Sequence, residues 1–205
     1  LAAKNNNLVA QRYLGLIYYS GDYVPYDIEK AYYYFNLAAE NDDSESQFYL
    51  GHIYYEGELG SVDIKKAIYF FTLAANKNNS DAQDSLGDIY DENGDINKAI
   101  KFYTLAAKNN NKHAQYSLGN IYCTYDNIIK DFDKGIYYLT LSANQNYKCA
   151  QYLIGEFYFE GKKVKKDIQK AINFFELAAK QQYSSAQYEL GKIYFKGKFV
   201  KKDVK

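Results

Sequence analysis

The stretch Leu50-Gly51-His52-Ile53-Tyr54-Tyr55-Glu56-Gly57, LGHIYYEG, decides the fold. A glycine stands second in an apolar, tyrosine-rich run, and the phrase returns as LGLIYYSG from Leu14, LGDIYDEN from Leu86, LGNIYCTY from Leu118, IGEFYFEG from Ile154 and LGKIYFKG from Leu190. Aligned on the Leu-Gly pair, full repeats start at Ala10, Ser46, Ala82, Ala114 and Ala150, with a partial sixth from Ala186. The steps are 36, 36, 32, 36 and 36 residues. Self-similarity of that period is the mark of stacked units, none of which buries its apolar face alone. The 205 residues therefore read as one repeat array.

Within each repeat a small residue, Leu, Ile and Tyr fall at i, i+4, i+7 and i+8, as in Ala10, Leu14, Ile17 and Tyr18, which is one face of an α-helix, here helix A. Gly21, Gly57, Gly161 and Gly197 follow it and supply the permissive backbone of a helix C-terminus. A second helix, B, opens at an Asp before an apolar residue, in DIEKA from Asp27, DIKKA from Asp63, DINKA from Asp95, DFDKG from Asp131, DIQKA from Asp167 and DV from Asp203. The Asp carboxylate accepts an orphan N–H of the first turn, worth about 1 kcal/mol against Ala. Helix B runs through Ala67, Phe71 and Ala74 to a Leu-Ala-Ala and an Asn/Lys/Gln-rich turn. Gly inside helix A costs about 1 kcal/mol relative to Ala. Its recurrence implies a compensating close approach of A and B, with Ala67 and Ala74 small and with Tyr54 and Phe71 filling the space beside them.

The pattern A-x-x-x-L-G-x-I-Y-x-x-G-x-x-V-x-x-D-I-x-K-A-x-x-x-F-x-x-A-A, most complete in Ala10 to Ala39 and Ala150 to Ala179, resembles the Sel1-like repeats, relatives of the tetratricopeptide repeats. That resemblance covers the whole chain. It implies an all-α, right-handed superhelical α-solenoid of antiparallel helix hairpins whose concave groove, lined by helix A, binds protein partners. The third copy, 82–113, has tetratricopeptide length, being shorter between Tyr90 and Asp95. The fourth has Tyr125 where a loop glycine is expected, and the second has Gly60 where others have Val24, Val164 or Val200. Leu1-Ala2-Ala3 matches the end of a helix B and Asp203-Val204 the start of another, so both ends read as cut mid-repeat. Cysteine-rich relatives carry paired cysteines in each repeat, whereas this chain has Ala38 and Ala39. Cys123 near the end of one helix A and Cys149 near the start of the next lie too far apart for a disulfide, so both are expected as free thiols.

Composition narrows the function. No run approaches the roughly 20 apolar residues that span a bilayer, and no signal segment opens the chain. Formal net charge is zero, against a dedicated nucleic-acid binder. His52 and His113 have no metal-ligand partners at the right spacing, Ser85 and Ser117 lack a histidine–acid arrangement, and no phosphate-binding glycine loop occurs. No catalysis, cofactor, metal or small-molecule substrate is expected, and a cytoplasmic location is the simplest reading of two unpaired cysteines.

The candidate partner surface consists of helix-A positions outside the hairpin core: Arg12, Tyr13, Leu16 and Tyr19, then Phe48, Tyr49, His52 and Tyr55, then Asp84, Asp88, Asp91 and Glu92. Later copies contribute Tyr116, Asn120 and Cys123, then Tyr152, Glu156 and Phe159, then Tyr188, Lys192 and Phe195. Aromatics in such a row are common interface anchors, and packing against neighbouring helices A is the alternative. Asp84, Asp88, Asp91 and Glu92 put four like charges on one helical face, which a basic peptide segment would fit. The lysine-rich loops from Lys162 and Lys196 read as solvated. The expected role is a non-enzymatic adaptor or scaffold. The alternatives are the regulatory or substrate-docking arm of a larger enzyme such as a protein kinase, or a structural element of a large assembly.

Overall fold

Every Leu-Gly phrase lies on one helix and every Asp-apolar phrase within the described residues starts the next. The computed structural model describes residues 7–124, 131–161 and 164–196, and among these there are helices and no strands. The chain divides into two compact units, Leu1–Asn109 and Asn110–Lys205. The first holds α1 (Leu8–Ser20), α2 (Ile28–Ala39), α3 (Ser44–Glu56), α4 (Ile64–Ala75), α5 (Ser80–Glu92) and α6 (Ile96–Lys108). The second holds α7 (Lys112–Thr124), α8 (Phe132–Asn144), α9 (Lys148–Glu160), α10 (Ile168–Lys180) and α11 (Ser184–Lys196). Odd-numbered helices are the A helices. Helices α1, α3, α5, α7 and α9 each pair with the B helix that follows, and within a unit the next A helix packs on that B helix.

The caps follow the sequence. Asp27, Asp63, Asp95, Asp131 and Asp167 each accept the backbone N–H three residues on, at 3.0 to 3.2 Å. Gly21, Gly57 and Gly161 adopt left-handed backbone at φ 72, 70 and 70° and close their helices. The expectations at Gly197, Val200, Asp203, Tyr125 and the loop lysines 162–163 and 196–202 concern residues or side chains outside those described. The turns from B to A hold Asp42, Asn78, Asn110, Asn146 and Gln182 at φ between 58 and 69°. The Asn-rich turns thus supply the residue type most tolerant of left-handed backbone after glycine. The N–H groups of Asp43 and Asp42 return to Ala38 and Ala39 at 3.2 and 2.9 Å, which satisfies the last carbonyls of α2.

The helix-A glycine meets the helix-B ring directly. A Cβ on Gly15, Gly51, Gly87 or Gly155 would come 2.5 to 2.7 Å from ring carbons of Phe35, Phe71, Tyr103 or Phe175, and on Gly119 would come 2.5 Å from Leu139. Those B-helix side chains are buried. Tyr103 is the one tyrosine in that series, and its hydroxyl donates to Asp88 Oδ1 at 2.7 Å, which satisfies a group that burial would otherwise leave without water. Tyr54 stacks on Phe70 with ring centroids 5.7 Å apart, and Lys66 lies over Tyr54 at 4.8 Å while pairing with Asp63. The same Asp, Lys and Tyr grouping recurs at Asp27, Lys30 and Tyr18, and at Asp95, Lys98 and Tyr90.

A glutamine ladder joins hairpins within each unit. Gln83 Nε2 donates to the Ala75 carbonyl at 3.1 Å, and Gln83 Oε1 accepts from Asn109 at 3.0 Å. Gln151 repeats this with Ala143 at 3.2 Å and Gln181 at 2.8 Å, and Gln115 Oε1 accepts from Gln145 at 2.8 Å. Gln47 reaches Ala39, but its buried Oε1 meets no donor, because Lys77 at the matching turn position pairs with Asp42 instead.

Candidate interaction surface

Side chains of helix A and of the loop after it reach from one repeat to the next. In the first unit the Tyr19 hydroxyl donates to Glu58 Oε1 at 2.8 Å, and Tyr26 donates to Glu58 Oε2 at 2.5 Å. With its proton on Glu58, the Tyr19 oxygen accepts from Nδ1 of His52, 3.1 Å away. Burial and the Glu58 carboxylate push the Tyr19 hydroxyl pKa far up, and the Glu58 hydrogen bond pushes Tyr26 up to about 12. Both phenols therefore stay donors. Tyr49 stacks on Phe35 with ring centroids 4.9 Å apart and receives the edge of Tyr19. Arg12 spans to the next hairpin, 2.8 Å from Asp43 and 3.2 Å from Glu45.

Beyond this cluster a cleft of about 240 Å³ opens between α3 and α5. Phe71 of α4 forms its floor; His52, Tyr55 and Glu56 form one wall, and Ser85, Asp88 and Glu92 the other. The Tyr55 hydroxyl donates to Glu92 at 3.1 Å and Tyr103 holds Asp88, so two of the three carboxylates have fixed positions. Asp84, one turn before Asp88, is largely buried, and its Oδ1 has no hydrogen-bond donor. Burial, then the charges of Asp88 and Asp81, push its pKa up to about 8.

The second unit has a cleft of about 160 Å³ at the same repeat positions, between α9 and α11. Glu156, Phe159 and Glu160 line it from α9, Phe175 from α10, and Glu189 with Lys192 from α11. Lys192 Nζ lies 2.8 and 2.9 Å from the two Glu189 oxygens, and the Tyr152 hydroxyl donates to Glu156 at 2.7 Å.

The candidate residues thus fall into three groups. Tyr13 and Tyr188 project with 56% and 67% of their surface exposed. Phe48, Tyr49, Tyr55, Tyr116, Tyr152 and Phe159 are half-buried, packed on hairpin cores or on neighbouring rings while keeping one side open. Arg12, Tyr19 and Lys192 are engaged in contacts within the chain, and Asp91 is half-buried at the end of α5. Cys123, read from the sequence as part of the open row, is instead fully buried against Gly135, the only repeat position of its kind in the described B helices to lack a Cβ. Cys123 and Cys149 are both free thiols. Sequence reading missed the glutamine ladder and Glu56. The glutamine was visible as the residue after the small residue in all six copies. No helix among the described residues is long and apolar enough to cross a membrane.

The fold and surface define an array of short helix hairpins, and the comparisons place it. The model of the Sel1 repeat matches residues 8–43, 44–79, 80–111, 112–147, 150–183 and 184–205, so the chain belongs to the Sel1 repeat family. Among solved structures it is similar to c5321, a protective antigen present in uropathogenic Escherichia coli strains displaying an SLR fold, at 32% identity and a TM-score of 0.89 over 98% of this chain. The chain spans 44% of that protein's length. It is also similar to a Sel1 repeat protein from Oxalobacter formigenes, at 29% identity and TM-score 0.89, covering 97% of this chain and 83% of that one. A Sel1 repeat protein from Klebsiella pneumoniae, at 22% identity and TM-score 0.58 over 93% of this chain and 95% of that one, shares the fold. No curated protein matches in sequence. The fold class is therefore the all-α solenoid of Sel1 repeats, a family made up generally of non-catalytic protein-interaction modules.

Proposed function

We propose that this chain is an adaptor module that binds a peptide or protein segment along the open faces of its A helices. The observation that carries this reading is the cleft between α3 and α5, where an aromatic floor and wall, Phe71 and Tyr55, meet fixed carboxylates, Asp88 and Glu92. An aromatic anchor beside charges already in position is the usual composition of a binding hot spot, because little ordering remains to be done on association. The half-buried rings of Phe48 and Tyr49 continue the surface, and the exposed ring of Tyr13 extends it.

Peptides selected from a displayed random library against the intact chain test this. Tyr13→Ser/Tyr49→Ser is expected to weaken the selected peptides by roughly tenfold or more. Tyr33→Ser/Tyr69→Ser, at exposed tyrosines of the B helices α2 and α4, is expected to leave them unchanged. The reverse pattern would move the binding surface to the B helices.

A further inference from the structure

We propose that the cleft between α3 and α5 takes a single cationic side chain, lysine or arginine, from a basic segment of the partner. The proposal rests on the reading of the A-helix faces as the partner surface, and it names the chemistry recognised there. The cleft at the same repeat positions of the second unit holds a lysine of the chain itself, paired with Glu189 where the first unit has Ser85. His52, Tyr55, Glu56 and Phe71 occupy the repeat positions of Glu156, Phe159, Glu160 and Phe175, and Asp88 occupies that of Lys192. In the α9–α11 cleft Lys192 lies among acids, bidentate to Glu189, with its charge acting on Glu156 and the Tyr188 ring 5.1 Å away. In the α3–α5 cleft the lining carries Glu56, Asp88 and Glu92 and no lysine or arginine, and the space is larger, about 240 against about 160 Å³.

Carboxylates gathered within one helical turn repel one another, and a cation between them relieves the repulsion. Each carboxylate has about four acceptor sites, so Asp88 and Glu92 can accept a tyrosine hydroxyl and still receive a partner's N–H groups. Tyr55 and Phe71 line the cleft, and an apolar alkyl arm can pack against them. Among the described residues no group of His, Cys, Asp and Glu is placed to hold a metal ion.

The test uses the intact chain and peptides selected from a displayed random library, measured by fluorescence anisotropy. The selected peptides are expected to share a lysine or arginine whose replacement by norleucine or citrulline weakens binding by roughly tenfold. Glu56→Gln/Asp88→Asn/Glu92→Gln is expected to produce the same loss with an unchanged circular dichroism spectrum. A second variant, Asp88→Lys/Tyr103→Phe, places a lysine in the cleft as in the second unit and is expected to exclude the peptide. Peptides indifferent to replacement of their cations and to both variants, yet weakened by Tyr13→Ser/Tyr49→Ser, would overturn the cleft proposal and leave the adaptor reading standing. A library without binders, or with binders indifferent to every A-helix substitution, would contradict both.

Discussion

Gly51 lies so close to Phe71 that a methyl group in place of its hydrogen would stand 2.5 Å from Cδ1 and 2.7 Å from Cε1 of the ring. The ring is buried and fills the volume a side chain at residue 51 would need. The same approach of ring to glycine recurs at Gly15, Gly87 and Gly155, and Leu139 makes it at Gly119. Gly51→Ala is expected to destabilise the chain by about 1–3 kcal/mol through overpacking, although the same change favours an isolated helix by about 1 kcal/mol. In a Phe71→Ala background the sign should reverse to neutral or mildly stabilising. Urea denaturation of the four members of the cycle measures this, and additive effects would contradict the contact.

In the fourth repeat a second close approach runs the other way, a Cβ on Gly135 of helix B falling on the sulfur of Cys123 of helix A. The other described repeats have Ala31, Ala67, Ala99 and Ala171 at that point. Gly135→Ala is expected to cost about 1–3 kcal/mol, and Cys123→Ala in the same chain to recover part of it. A thiol reagent should modify the half-exposed Cys149 in the native chain and reach buried Cys123 only on unfolding.

Gln47 is a rung of the glutamine ladder whose buried Oε1 meets no donor. Lys77→Gln reproduces the arrangement of Gln145 with Gln115 and of Gln181 with Gln151. It is expected to stabilise the chain by about 1 kcal/mol, the Asp42 ion pair it removes being a solvent-exposed one of small value. An unchanged or lowered unfolding midpoint would contradict the assignment.

Asp84 links stability to pH. Its folded pKa is raised from 3.8 to about 8 by burial first and the neighbouring acids second. Between those values the unfolded chain releases a proton that the folded chain holds. Stability is therefore full below the lower value, falls as pH rises through the window and levels off above about 8. Asp84→Asn is expected to remove this slope, with no gain at the acid end and about 1–3 kcal/mol at the alkaline end. Denaturation midpoints across that range check it, and a gain independent of pH would contradict it.

The hairpins, their Asp caps and the Gly21, Gly57 and Gly161 stops were legible because each depends on a local residue type at a fixed spacing. The open row was legible as a list of positions but not as contacts. Helical periodicity places Asp84, Asp88 and Glu92 on one face, yet only packing shows Asp84 withdrawn from water and Asp88 held by Tyr103. Cys123 was misplaced for a similar reason, since its burial depends on a missing Cβ on a different helix. The role of the Asn-rich turns was also hidden, because a left-handed φ at Asp42 or Asn78 is a property of the backbone and not of composition.

The most direct measurement of the central claim is hydrogen–deuterium exchange of the intact chain with and without a saturating selected peptide. The account predicts slowed exchange in α3 and α5, centred on Tyr55 and Asp88, with α2 and α4 unchanged at Tyr33 and Tyr69. Protection confined to the B helices would contradict it.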